Sequence, residues 1–193
     1  MPNAATAQWT YQMLENESLW QTTRRAHELL AGVNIPHAIV GGVAVCLHGY
    51  RRNTVDLDLL VRSTDAKAIR ACFDGAGFSW RAADKEFRSP SGIAIQFVIA
   101  GDREGPGQEA TFPDPAEPRT ITLIEDIPTL SLAHLIQAKI ACGLGSPRRT
   151  HKDLADAVEL IAIHNLDGAF ARFLHKSIRK EFRALVRRAG DRK

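Results

Sequence analysis

The chain has 193 residues and a mass of 21.2 kDa, enough for one domain or one domain with a small appendage. Its residues are 45% hydrophobic and 24% charged, which excludes a disordered chain, a collagen-like repeat and a disulfide-stapled miniprotein. The net charge is +3, but from Asp167 onward nine Lys/Arg stand against three Asp/Glu, giving +6 there and −3 for the remainder. Such a basic end suits a nucleic-acid or acidic-partner surface, or simply a solvated helix face, and charge alone favours the solvated face. No apolar run approaches the roughly 20 residues needed to span a bilayer. The first eight residues, Met1 to Gln8, lack the basic stretch and apolar core of a signal peptide. Cys46, Cys72 and Cys142 are odd in number and widely spaced. The expectation is a cytoplasmic chain without membrane contact, its cysteines free thiols rather than disulfides or zinc ligands.

Leu19, Thr23, Ala26, Leu30 and Val33 recur at helical spacing, and the run ends at the Asn34-Ile35-Pro36 turn. His37 to Val40 reads as a short buried strand broken by Gly41-Gly42, and Val43 to Tyr50 as a short helix. Asp56 to Val61 begins with alternation and ends apolar, so a strand is predicted. Thr64 is expected to cap a helix with apolar positions Ala66, Ile69, Phe73 and Ala76. Phe78 to Arg81, Phe87, Ile93 to Ala100 and Arg119 to Ile124 are further strand candidates. Residues Gly101 to Pro118 hold four of the nine prolines and three glycines and read as a long loop. Three helices are expected after that, over Ser131–Cys142, His151–His164 and Gly168–Ala189. The last carries the apolar stripe Phe170, Leu174, Ile178, Phe182, Leu185, Ala189.

The chemistry is concentrated in Val40-Gly41-Gly42, thirteen intervening residues, and Asp56-Leu57-Asp58. Residues i and i+2 of a strand point to one face, roughly 7 Å apart. Two carboxylates held there repel by about 3 kcal/mol at ~5 Å and an effective dielectric near 20. A hard divalent cation removes that cost, and Mg²⁺ is commonly held by one or two carboxylates plus substrate phosphates. A strand ending in Gly-Gly lets backbone N–H groups approach a phosphate with no Cβ in the way. A tight turn also needs glycine, and a strand-edge Asp is a common turn residue, so the combination is far more specific than either part.

This pattern resembles the signature of the nucleotidyltransferase superfamily, whose members include minimal nucleotidyltransferases, aminoglycoside-modifying enzymes and toxin enzymes. The downstream half is similar to the AbiEii-type branch: Lys139 on one helix, then Arg148, Arg149, Lys152, Asp153 and Asp156. The resemblance covers roughly residues 38–163. It implies an α+β fold with a nucleotidyltransferase-like mixed β-sheet flanked by helices. Residues 1–124 would form the core with its N-terminal helix, and 125–193 a C-terminal helical half completing the site. It further implies that Gly41 and Gly42 contact the nucleotide phosphates. Asp56 and Asp58 would hold Mg²⁺ or Mn²⁺, Lys139 reach the triphosphate, Asp153 orient that lysine or assist the acceptor, and Arg148 and Arg149, in a loop beside the site, contact phosphate. The reaction implied is attack of an acceptor hydroxyl on the α-phosphorus of an NTP such as ATP, releasing pyrophosphate. RNA, met by the basic final helix, is the acceptor this suggests, and a cognate antitoxin protein is a second partner.

Plain structural readings stand beside these. Lys139 fits a solvated helix lysine, Thr150-x-x-Asp153 a capping box, Asp156 a helix-surface acid and His48 a half-buried structural histidine. One departure from the family pattern matters. A third carboxylate is expected on the strand Ile93 to Val98, and Gln96 stands there instead. A glutamine can neither carry charge nor act as a base. The acid is then supplied from elsewhere, by Asp102 or Glu86, or one metal suffices, or nucleotide binds without turnover. The alternatives to NMP transfer onto RNA are therefore a catalytically impaired, antitoxin-like interaction protein and a small-molecule, aminoglycoside-type nucleotidyltransferase.

Overall fold

The computed structural model describes residue 11 and residues 16–190, so the signal-peptide reading of the first eight residues lies outside it. The chain begins with helix α1 (Glu17–Gly32) and strand β1 (Ala38–Val40), followed by helix α2 (Gly41–Leu47) and strand β2 (Asp56–Val61). A 3₁₀ turn over Ser63–Asp65 leads into α3 (Ala66–Gly75), then β3 (Ser79–Arg81), β4 (Glu86–Arg88) and β5 (Ala94–Ile99). The remainder is β6 (Ile121–Ile124), β7 (Ile127–Leu130), α4 (Leu132–Gly145), α5 (Thr150–Ile163), a 3₁₀ segment (Gly168–Phe173) and α6 (Arg179–Gly190). Seven strands form one mixed sheet in the order β3-β4-β5-β2-β1-β7-β6. β2 runs parallel to β5 and antiparallel to β1, and β1 runs parallel to β7. This is the α+β architecture expected, a mixed sheet flanked by helices.

Alternation along β2 divides its side chains between the two sheet faces. Phe73 of α3 packs on Phe87 and Phe97, with ring centroids 5.2 and 5.8 Å away, so α1 and α3 cover the face opposite the one carrying Asp56 and Asp58. Leu57, Leu59 and Leu60 are fully buried. At about 25 cal/mol per Å² of apolar surface, burial of this kind contributes about 1.5–3 kcal/mol per large side chain. No described helix is long and apolar enough to cross a membrane. Cys46, Cys72 and Cys142 are free.

Five local expectations are corrected. Val33 is not on the core stripe of α1 but 50% exposed, because the helix has already closed. Asn34 takes a left-handed φ of 57° and Ile35 N–H reaches back to Leu30 O at 2.9 Å. Helix α2 starts at Gly41 rather than Val43, placing both glycines in its first turn. Thr64 does not cap α3; it lies in the preceding 3₁₀ turn. Strand β7 was not anticipated, because Pro128 sits within it and its hairpin lacks an Asn-Gly turn. Glu125 and Asp126 instead adopt the two positive φ values, 50° and 63°, that such a two-residue turn requires. The long final helix is broken: Leu174 is extended, and Gln137 Oε1 takes the His175 N–H at 2.6 Å, so helix resumes only at Arg179. The stripe residues Leu174, Ile178, Phe182, Leu185 and Ala189 are nonetheless buried.

The 101–118 loop is packed down on α4. An added Cβ on Gly105 would lie 2.5 Å from Ala141 O, and the Cys142 thiol donates to Glu104 O at 2.7 Å. Glu104 is 1% exposed and accepts from Gln137 Nε2 at 3.1 Å, while its Oε2 has no partner. Burial pushes its pKa up to about 8, so it folds protonated at neutral pH. A carboxyl whose pKa is raised on folding stabilises the fold below its unfolded value and loses that contribution as pH rises through the folded value. Glu104→Gln is therefore expected to match the wild type near pH 5 and to melt progressively higher than it as pH rises to 8 and above. Thermal melts from pH 5 to 9 test this, and a constant offset would contradict it.

Candidate active site

The β1–α2 corner is built by close approach. Gly41 has φ +64°, and an added Cβ would lie 1.9 Å from Asp58 Oδ2. The Asp58 carboxylate thus rests directly on the glycine backbone, brought there by the Val40–Asp58 pairing of β1 and β2. A Cβ on the buried Gly42 would lie 2.3 Å from Thr54 Oγ1, which itself donates to Asp56 Oδ1 at 3.2 Å. Both glycines are therefore dictated by the acids and their support. Gly41→Ala is expected to displace the Asp58 carboxylate and to cost about 1–2 kcal/mol for the left-handed backbone alone. Urea unfolding reads that loss, and wild-type stability in the variant would contradict the contact.

Asp58 lines a cavity of about 140 Å³ with Gly41, Gln96, Lys139 and Arg149. Phe112, Leu130 and Leu135 give it an apolar side. Burial first, and then the neighbouring Asp56 carboxylate, push the Asp58 pKa up to about 6, while Lys139, Arg149 and Lys152 pull it down.

Behind the cavity lies a chain of alternating charge. Lys139 Nζ contacts Asp153 Oδ1 at 2.9 Å and Asp156 Oδ2 at 2.8 Å. Arg149 Nε contacts Asp153 Oδ2 at 2.8 Å, and Arg52 grips both oxygens of Asp156 at 2.7 and 2.9 Å. Lys139 is 5% exposed, so it is not a solvated helix lysine, and Asp156, at 1%, is not a surface acid. Asp153 caps nothing: its carboxylate is taken by Lys139 and Arg149, and Thr150 Oγ1 donates to Gly143 O and Ser146 O instead.

The structure thus brings Gly41, Asp58 and Lys139 to one cavity, with Asp56 on the same strand face and Asp153 directly behind the lysine. Gly42 is buried beside Thr54 rather than lining the cavity. Arg148 is exposed on the adjoining turn, and its neighbour Arg149 faces the cavity. His48 is a buried structural histidine whose Nε2 meets Leu130 O at 2.8 Å. Of the two acids considered as stand-ins for a third carboxylate, Asp102 is exposed, whereas Glu86 lies next to Gln96. The roles of Arg52 and Asp156 were missed. Asp153 and Asp156 fall on one helix face at i, i+3, and that spacing was the available signal for a shared cation. Among the described residues no cluster of three or more His, Cys, Asp or Glu could hold a metal ion.

No protein-family model matches the chain, and no curated protein is similar to it in sequence. Solved structures do match. ANT(2″)-Ia in complex with adenylyl-2″-tobramycin is 16% identical over 85% of this chain and 98% of its own, with a TM-score of 0.55. A nucleotidyltransferase candidate from Thermotoga maritima is 17% identical over 71% of this chain and 92% of its own, with a TM-score of 0.52. The chain has the nucleotidyltransferase-like fold of these structures.

Proposed function

We propose that the chain is a nucleotidyltransferase that moves an NMP from an NTP to an acceptor hydroxyl. The observation that supports this best is the seating of the Asp58 carboxylate on Gly41, with Asp56 beside it and Lys139 and Arg149 in the same cavity. Two like charges on adjacent same-face positions, one of them raised in pKa by the other and by burial, form a hard-oxygen donor pair suited to Mg²⁺ or Mn²⁺. Asp56 and Asp58 would hold that cation, which when bound screens the triphosphate charge. Lys139 and Arg149 add positive potential on the cavity side, and Asp153 fixes both by ion pairs. Of the two glycines only Gly41 borders the cavity, where its backbone would meet the nucleotide beside Asp58. In the reaction the acceptor oxygen bonds to the α-phosphorus, the bond to the β-phosphate oxygen breaks, and pyrophosphate leaves. The hydroxyl proton passes to water or pyrophosphate.

RNA is the acceptor we favour, since Lys180, Arg183, Arg187 and Arg188 of α6 are all exposed. Pairing of Lys139 with Asp153 accords with the AbiEii-type pattern of a lysine helix followed by an Asp-bearing helix. A small-molecule acceptor is the second reading, favoured by the apolar side of the cavity at Phe112 and Leu135 and by the tobramycin adduct in the ANT(2″)-Ia structure. A nucleotide-binding protein without turnover is the third, favoured by the uncharged Gln96. The deciding experiment supplies each α-labelled NTP with Mg²⁺ or Mn²⁺ and, separately, total RNA, a cell lysate or tobramycin. The expected result is label on RNA, absent with Asp56→Ala/Asp58→Ala. Nucleotide binding with no labelled acceptor would overturn the enzyme reading.

A further inference from the structure

Asp58, Gln96 and Glu86 form a row across three adjacent strands. Gln96 is paired with Asp58 in the parallel β2–β5 register, and Glu86 follows the Phe87–Ile95 pair of the antiparallel β4–β5 ladder. All three side chains therefore stand on the same sheet face. Gln96 is exposed and lines the cavity, whereas Glu86 is only 4% exposed. Gln96 Nε2 donates to Glu86 Oε2 at 3.3 Å, and Glu86 Oε1 is ion-paired with Arg88 at 2.5 Å.

An ionised carboxylate only accepts hydrogen bonds, while an amide has one donating and one accepting end. With Nε2 given to Glu86, the end left for the cavity is Oε1. Without Glu86 the amide has another carboxylate in the same row. Nε2 would turn to Asp58, since a hydrogen bond to an ionised oxygen is stronger than one to water. Asp58 would then be occupied.

We propose that Glu86 is a positioning residue that holds the Gln96 amide away from Asp58 and turns its oxygen to the cavity, leaving Asp58 open to a divalent cation. This presupposes the reading of Asp56 and Asp58 as cation ligands. It also gives the uncharged residue at 96 a physical reason: a carboxylate there would stand between two others, Asp58 and Glu86.

Mn²⁺ binding in the presence of a non-hydrolysable ATP analogue, followed by electron paramagnetic resonance, tests the proposal. Glu86→Ala is expected to weaken Mn²⁺ binding about tenfold, the size of one charge-assisted hydrogen bond. Glu86→Gln, whose amide oxygen still accepts from Nε2, should bind as the wild type does. Glu86→Ala/Gln96→Ala should recover wild-type affinity, because no amide remains to occupy Asp58. A merely structural role for Glu86 predicts no such recovery, so a double variant as weak as Glu86→Ala overturns the proposal, as does wild-type affinity in Glu86→Ala itself. The amide partner is also read without metal from the Gln96 Nε2H₂ signals in ¹⁵N–¹H spectra. Asp58→Asn is expected to shift them in the Glu86→Ala background and not in the wild type. Signals unmoved by Glu86→Ala overturn the proposal. Mn²⁺ binding that survives Asp56→Ala/Asp58→Ala overturns the cation reading alone, and the amide signals then still decide the role of Glu86.

Discussion

Asp58→Asn is expected to make the protein more stable at pH 8 and at the same time to remove nucleotide transfer. The Asp58 pKa of about 6 lies above the ordinary 3.8. Its contribution to stability is thus fully present below pH 4 and lost as pH rises through 6. At pH 8 the wild type bears the whole cost of a buried charge beside Asp56, and asparagine bears none. A gain of about 2 kcal/mol follows from roughly 1.4 kcal/mol per pKa unit, discounted for partial solvation. The gain should vanish near pH 4. Transfer, in contrast, should fall by about a thousandfold or more if Asp58 holds the cation as proposed, since losing that ligand removes several kcal/mol of charge stabilisation. Urea unfolding at pH 4 and pH 8, beside the label-transfer assay, measures both. A variant less stable at pH 8 would show that Asp58 is held by its cationic neighbours rather than strained by its burial. Opposite movements of stability and activity are what a site built for function produces.

Lys139→Met is expected to cost about 3–5 kcal/mol, enough to leave a marginal domain largely unfolded. The side chains of Asp153 and Asp156 are 0% and 2% exposed, and Lys139 is the charge they share. Its removal leaves two buried carboxylates facing one another. Arg149 and Arg52 still hold their outer sides, so Lys139→Met/Asp153→Asn should regain part of the loss by leaving one charge paired with Arg52. Chemical denaturation of the three proteins tests this, and a loss under about 1 kcal/mol in the single variant would mean that the arginines alone neutralise the acids. Because Lys139 Nζ is bonded to two carboxylates, it is held in place as a fixed charge.

Where one residue sets its own surroundings, the sequence is readable. The Asp-Leu-Asp-Leu alternation places both acids on one face whatever the tertiary structure does, and β2 has that face. Gly41 was legible as a corner, though not the reason for it, since the Asp58 carboxylate occupying its Cβ space is a cross-strand contact. What escaped depends on partners far along the chain. Asp156 reads as a surface acid until Arg52, more than a hundred residues earlier, is laid beside it. Glu86 is named by the sequence only as one of two acids that could replace the missing third carboxylate, and its place beside Gln96 appears once β4 is paired with β5. No strand is expected over 127–130 from the sequence, and β7 forms because the positive φ values of Glu125 and Asp126 close its hairpin. The end of the chain kept its apolar stripe but not its helix, because a side-chain amide from α4 captured a backbone N–H.

The buried ion pairs that Lys139 and Arg52 make with Asp153 and Asp156, and the cationic surface of α6, answer differently to ionic strength. Counterions at 1 M salt shorten the reach of exposed charge to about 3 Å, but they do not enter a packed interior. Raising salt should therefore strip a polyanion from α6 while the inner ion pairs, and the fold they hold, stay as they are. One molecule thus carries an electrostatic skeleton that is deaf to its medium and an electrostatic skin that is tuned by it.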